Sequence, residues 1–497
     1  MIPLSIGAIA DIVGGTLHDV PDPSVVVSGT VEFDSRATTS GGLFLALPGN
    51  RVDGHDHAVA AVEAGAVAVV AARPVGVAAV VVEKTPHSSR AMALEHDADG
   101  SGAAVLEALA RLARESVTQL TASHGLTVVG VTGSSGKTST KDLLRAVLSA
   151  AGSTVAPPGS FNNELGHPWT ALRADESTDF LVLELSARGR GHIAALAEIA
   201  PPRIGVVLNV GTAHLGEFGS REAIAETKGE LVEALPAEGL AVLNADDDLV
   251  SAMAARTAAR VVTFGQADSA DVRAENVTLD DTARASFDLV TSAGTSRVSL
   301  LVHGEHQVGN ALAAAAVGLE VGMSVDKVAT ALSGAEAASQ RRMDVRTRAD
   351  GVTVVNDSYN ANPDSMRAAL KALVTMSRSG RDGGRKSWAV LGEMGELGDE
   401  SVIEHDRIGR LSVRLAVSKL IVVGSGRPSH AMYQGSVMEG SWGDEAVLVP
   451  DAAAAIELLT AQVEPGDVVL VKASQSIGLW SVADALLAQG DQQEESR

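Results

Sequence analysis

The segment GVTGSSGKTST, residues 130–140, constrains the fold more than any other stretch of the chain. It follows the apolar run 126–131 and precedes 141–148, whose apolar spacing is helical. A glycine-rich loop between a strand and a helix aims successive backbone N–H groups, and the positive end of the helix, at phosphate oxygens. Lys137 adds a cation, and the Thr138 hydroxyl is suited to binding Mg²⁺. Gly133, Ser134, Ser135, Gly136, Lys137, Thr138 and Ser139 are therefore read as a loop that cradles a nucleoside triphosphate. Five residues separate Gly130 from Gly136, one more than in the standard phosphate loop.

Such a loop belongs to a parallel α/β sheet, and the surrounding chain supplies one. The runs 180–185, 204–210 and 240–243 are short and apolar, as in strands buried on both faces, and Ala-rich helical segments separate them. Later runs at 352–356, 388–391, 420–423 and 468–471, with a helix at 365–376, predict a further open sheet. Before these, β-branched runs at 25–27, 67–70 and 77–82 are broken by Gly, Pro and Asp and followed by a helix at 102–121. The polar, Arg-bearing stretch 339–351 reads as a linker, and the polar end 490–497 as unstructured. The expectation is an α/β protein of three domains, in keeping with 497 residues at about 150 per domain. A small mixed α/β N-terminal domain would occupy 1–120, a central P-loop ATPase-like, mostly parallel sheet 121–345, and a C-terminal Rossmann-like open sheet 346–497.

Charge and composition narrow the partners. Lys and Arg number 39 against 62 Asp and Glu, a net charge of −23 that argues against nucleic acid and anionic membrane surfaces. With no cysteine, a thiolate nucleophile, a disulfide framework and a Cys-bound zinc are excluded. The start lacks a basic leader, and Asp11 interrupts its apolar stretch. The most apolar tract, 58–82, is broken by Glu63 and Arg73, short of the ~20 residues that span a bilayer. A cytoplasmic protein with no membrane insertion is expected.

Other segments offer chemistry with a plainer reading beside it. Paired amides at Asn162 and Asn163 suit sugar and peptide groups, and suit an ordinary loop equally. Glu184 ends an apolar strand beside the loop, either as a Mg²⁺ ligand or as a solvated acid. Lys228, between Glu226 and Glu230, reads as a surface lysine on a helix. Asn310 opens an Ala-rich helix, and Arg342 is a planar cation suited to phosphate or a charged linker residue. Asp34 and Asp53, in Asp34-Ser35-Arg36 and Asp53-Gly54-His55, are turn residues or functional ones.

Taken in order, these segments resemble the Mur ligase family, which assembles the peptide of bacterial cell-wall precursors and includes folylpolyglutamate synthase. The likeness adds Gly42-Leu43-Phe44-Leu45, Phe161-Asn162-Asn163-Glu164, Asn209-Val210-Gly211-Thr212-Ala213-His214, Asp357-Ser358-Tyr359-Asn360-Ala361-Asn362-Pro363, and Leu391-Gly392-Glu393 with His405. It runs from about residue 30 to 480, with departures where the family usually has Gly and Arg and this chain has Ala473 and Gln475. The resemblance implies that Ser35 and Arg36 hold the UDP end of a substrate and that Asn162 and Asn163 face its muramoyl part. It gives catalytic roles to Lys137, Glu184, His214 and Lys228, and a place on two Mg²⁺ ions to Thr138, Glu184, His214 and a Lys228 carbamoylated by CO₂. Asn310, Arg342 and Asp357 would line ATP, and Asn360, Asn362 and Pro363 the acceptor entrance.

Residues 357–365 are most similar to the dipeptide-adding branch, and no Asp-Asn-Pro-Arg is present. The implied reaction uses ATP to join D-alanyl-D-alanine to UDP-N-acetylmuramoyl-tripeptide, by one chain acting as a monomer. The alternatives are a tripeptide-forming Mur ligase or folylpolyglutamate synthase, and, outside the class, a P-loop ATPase switch.

Overall fold

A computed structural model describes residues 1–49, 52–84, 97, 99–211, 215–378, 385–441 and 443–495. The expected His214 lies outside the described residues.

Among the described residues the apolar runs assemble three large sheets, beside a two-stranded pair of Leu4–Ser5 with Val26–Val27. The central one holds nine strands in the order Gly294–His303, Arg284–Thr291, Val272–Leu279, Arg260–Gly265, Leu240–Asn244, Ile204–Val207, Thr127–Thr132, Phe180–Glu184, Thr154–Val155. Pairing is parallel from Thr154–Val155 to Val272–Leu279 and antiparallel across the last two strands. The strand leading into the phosphate loop is thus central, with Glu184 opposite Val131 on one side and Val207 opposite Thr132 on the other. Residues at the carboxyl ends of these strands meet in the crevice where parallel sheets bind ligands.

The antiparallel meander departs from the strand–helix alternation expected there. Its strand Arg284–Thr291 alternates, with Ala285, Phe287 and Leu289 buried and their neighbours less so, because only one face is covered.

The last sheet runs Asp344–Thr347, Thr353–Asn356, Val468–Lys472, Ser387–Leu391, Lys419–Val423, Ala446–Val449, with only the first pair antiparallel. Asp344–Thr347 lies inside the stretch read as a linker, whose polar residues suit an edge strand. The closing helix Trp480–Glu495 continues through most of the end that reads as unstructured. The first sheet has five strands, Thr16–His18, Ala79–Val81, Ala66–Ala71, Gly42–Leu45 and Val31–Glu32.

The cores do not divide as the sheets do. Helix Ser101–His124 packs Val105, Leu109 and Leu112 into one cluster with Leu43, Leu45 and Val70 of the first sheet and Val128, Leu181 and Leu183 of the central sheet. Trp169 adds a joint: its indole N–H donates to Val31 O at 2.8 Å, and its ring meets Phe33 and Phe161 at 5.7 and 4.8 Å. Among the described residues, the two faces of the last sheet pack against helices and loops from within residues 344–487, with Met343 and Ala283 added from outside that range. Among the described residues no helix is long and apolar enough to cross a membrane.

Candidate functional site

The phosphate loop connects Thr127–Thr132 to helix Lys137–Ser149. Gly136 has φ +83°, and a Cβ there would lie 2.6 Å from Asn310 Oδ1. Only glycine lets the loop turn this tightly against helix Gln307–Glu320. Lys137 curls back so that Nζ donates to Gly133 O at 2.5 Å. Burial lowers its pKa to about 8; Glu184 opposes that shift and Arg342 reinforces it.

Glu184 is fully buried. Its Oε2 accepts from Thr138 Oγ1 at 3.2 Å and from Asn162 Nδ2 at 3.4 Å, while Oε1 is buried with no partner among the described residues. Burial raises its pKa, and Lys141, Lys137 and Arg342 pull it back. An orphaned carboxylate oxygen beside a hydroxyl fits Mg²⁺, which takes one or two carboxylates plus phosphate oxygens and keeps several waters. Among the described residues no cluster of three or more His, Asp or Glu would cage a metal unaided.

Lys228, on helix Arg221–Glu233, is only 7% exposed, which overturns its reading as a surface residue. The helix turns it inward, away from Glu226 and toward the phosphate loop. Its amine has no ion pair or hydrogen bond among the described residues, and burial, then Lys137, holds its pKa well below the usual lysine value.

The hinge is tied to the loop helix. Lys141 pairs with Asp142 at 2.5 Å and donates to Ser339 Oγ at 3.3 Å, while Ser339 N–H donates to Asp142 Oδ2 at 3.1 Å. Arg341 and Met343 have φ +58° and +51°, the left-handed region that non-glycine residues seldom occupy. Between them Arg342 lies 4.2 Å over the Tyr359 ring and reaches Thr138 Oγ1 at 3.4 Å. Asp357, just past strand Thr353–Asn356, sits 2.6 Å from Lys472 Nζ, which also donates to Asn360 O at 2.8 Å. Asn362 accepts from Ser365 N–H at 2.9 Å, capping helix Pro363–Arg378, and donates to Ser134 O at 3.4 Å. Residues of the last sheet thus rest directly on the phosphate loop.

Two cavities open there, of about 510 and 490 Å³. Asn310, Asp357 and Lys472 line the first, Lys137, Asn162 and Asn360 the second, and Ser135, Gly136 and Arg342 stand on the wall of both.

Family models match along the whole molecule: "Mur ligase family, catalytic domain" over residues 29–116, "Mur ligase middle domain" over 131–318, and "Mur ligase, glutamate ligase domain" over 341–475. A UDP-N-acetylmuramoyl-tripeptide--D-alanyl-D-alanine ligase of Mycobacterium leprae is 59% identical, over 99% of each chain. This chain belongs to the Mur ligase family. Among solved structures, MurF from Acinetobacter baumannii superposes with a TM-score of 0.82 at 30% identity, covering 98% of this chain and 99% of that one. A MurF ligase from Thermotoga maritima in complex with ADP gives 0.74 at 30% identity, covering 94% and 99%.

Against the pattern expected of a Mur ligase, the residues part into three groups. Ser134, Ser135, Gly136, Lys137, Thr138, Ser139, Asn162, Asn310, Arg342, Asp357, Asn360 and Asn362 line the two cavities. Gly133 and Pro363 support the loop and the helix start behind them, and Asn163, though on the second cavity, spends Oδ1 on Gly166 N–H at 2.9 Å. Ser35 and Arg36 lie apart, in a turn capped by Asp34, with Arg36 paired to Asp34 at 2.7 Å.

His55 and His405 are latches. His55 bridges Asp53 Oδ1 and Ala72 N–H at 2.7 and 3.0 Å, and His405 bridges Ser401 O and Met394 N–H at 2.6 and 2.9 Å. Sequence reasoning missed Lys472, Arg221 and Asp247, which line the first cavity. Lys472 had a signal: like Glu184, it is a charge ending a buried parallel strand.

Proposed function

We propose that this Mur ligase joins D-alanyl-D-alanine to UDP-N-acetylmuramoyl-tripeptide with ATP, giving the UDP-linked pentapeptide, ADP and phosphate. The observation that carries the reading is the 59% identity, over 99% of both chains, to a ligase named for that reaction. The site supports it: a phosphate loop, a hinge arginine and an amide-rich loop border the same pair of cavities.

A carboxylate resists amines because it is anionic and lacks a leaving group. Transfer of the terminal phosphoryl group of ATP to the tripeptide carboxylate gives an acyl phosphate. The amine of the dipeptide then attacks the acyl carbon, and phosphate departs with the C–O electron pair. Lys137 and Arg342 bear on the phosphoryl oxygens, and the loop N–H groups hold the remaining phosphates. Asp357 and Lys472 brace the nucleotide cavity, while Asn162 and Asn360 offer amide hydrogen bonds to the peptide partners. Thr138 and Glu184 would hold Mg²⁺, which neutralises charge on the transferring group. Lys228, a buried and easily neutral amine, is suited to carbamoylation by CO₂, which would turn it into an anion for a second Mg²⁺ together with His214.

We also propose three domains, at 1–120, 121–343 and 344–497: the boundary expected at 345 moves ahead of Asp344, since that strand pairs within the last sheet. We read the chain as a monomer, and use of ATP and a UDP-linked substrate supports a cytoplasmic enzyme.

The test is phosphate release from ATP and Mg²⁺ with each substrate alone and with both. Release only with both, and a UDP-pentapeptide by mass, is the expected result. Release indifferent to either would make the chain an ATPase switch.

A further inference from the structure

A third cavity, of about 300 Å³, opens on the hinge side of the phosphate loop. Arg341, Arg342, Tyr359 and Gln475 line it with Thr138 and Ser160, and no Asp or Glu does. It shares Thr138, Ser160, Arg342, Tyr359 and Gln475 with the second cavity, so the two meet along one wall. Both guanidinium groups rest on rings, Arg342 on Tyr359 at 4.2 Å and Arg341 on Trp480 at 4.5 Å. A ring fixes the flat of a guanidinium and leaves its N–H edge for an anion.

Arg341 has no ion pair among the described residues. Its φ of +58° is a conformation that costs any residue but glycine, and Tyr359 N–H holds its carbonyl at 3.3 Å. An arginine kept in a strained turn, beside a second arginine and on a wall with no Asp or Glu among the described residues, marks a place for a small anion.

We propose that this cavity receives the terminal carboxylate of the acceptor dipeptide and that Arg341 is the residue that selects for it. The inference rests on the acceptor assigned above. A dipeptide spans about 7 Å, so an amine poised beside Thr138 leaves its carboxylate within reach of the shared wall. Arg342 already reaches Thr138 at the phosphate end, and the second guanidinium is the one left for the carboxylate.

Steady-state kinetics of the full chain, with D-alanyl-D-alanine and with its C-terminal amide, test this in the wild type, Arg341→Gly and Arg341→Lys. Glycine suits φ +58°, so Arg341→Gly removes the cation and keeps the turn. The wild type should prefer the free acid by about 10–100-fold in kcat/KM. Arg341→Gly should lose that preference through a raised KM for the acid, with KM for ATP and the amide kinetics unchanged, and Arg341→Lys should restore part of it. Equal losses with acid and amide, or a rise in KM for ATP or the UDP-tripeptide instead, would overturn the assignment. A wild type that ligates the dipeptide without preferring its free acid defeats this proposal alone. One that ligates no dipeptide defeats the proposed function.

Discussion

Thr138 Oγ1 donates to Glu184 Oε2 across 3.2 Å, and the carboxylate's other oxygen stays buried without a donor among the described residues. A desolvated carboxylate with one idle oxygen costs free energy unless a cation completes it. Glu184→Gln keeps the shape and removes the charge. Its kcat should fall by on the order of 10²–10³, with Mg²⁺ needed at higher concentration. An unchanged Mg²⁺ titration would remove Glu184 from the metal.

Burial brings the Lys137 pKa down to about 8. Phosphates favour its protonated form, so ATP binding takes up a proton, and affinity falls as pH rises through about 8. Calorimetric titration in buffers of different ionisation enthalpy reads the proton directly. Arg stays charged throughout this range, so Lys137→Arg should abolish the uptake. Uptake that persists in that variant belongs to another group.

Lys228 pulls stability and activity in opposite directions. Its folded pKa is lowered, so between that value and the unfolded one the unfolded chain binds more protons and stability rises with pH. Below that window the buried cation is the burden. In CO₂-free buffer near neutrality, Lys228→Met should therefore raise the unfolding temperature, by about 1–2 °C per kcal/mol recovered, while ligation is lost. Carbon-13 bicarbonate should give a carbamate resonance in the wild type that this variant lacks. A variant that ligates normally would leave the amine a packing residue.

The Lys472–Asp357 pair sits 2.6 Å apart with both side chains nearly inaccessible. Removing one partner strands the other, so Lys472→Met should cost about 3–5 kcal/mol in urea unfolding. Adding Asp357→Asn, which still accepts the Met343 N–H, should recover a good part of that loss. Additive losses in the double variant would mean that the two charges do not depend on each other.

The sheets and the phosphate loop were legible because their signals are local: short apolar runs, glycines at fixed spacing, and a cation one step past Gly136. What stayed hidden depends on which way a side chain turns. Lys228 has acidic neighbours in sequence and faces the core in space. Asn162 and Asn163 are the same residue type in adjacent positions, yet one meets Glu184 and the other accepts from the Gly166 N–H. His55 and His405 carry the residue type most often read as catalytic, yet His55 spends its ring nitrogens on the Asp53 carboxylate and the backbone, and His405 spends both on the backbone. Asp344–Thr347 looked like a linker because an edge strand needs little apolar character.

The cluster that joins helix Ser101–His124 to strands of two different sheets has a consequence for how the molecule comes apart. The three large sheets make two cooperative blocks. Scanning calorimetry should show the first and central sheets melting in one transition and the last sheet in another. A last sheet grafted from a relative carries its interior with it. Cutting the first sheet away leaves Val128, Leu181 and Leu183 bare on the central one, and the remainder should aggregate.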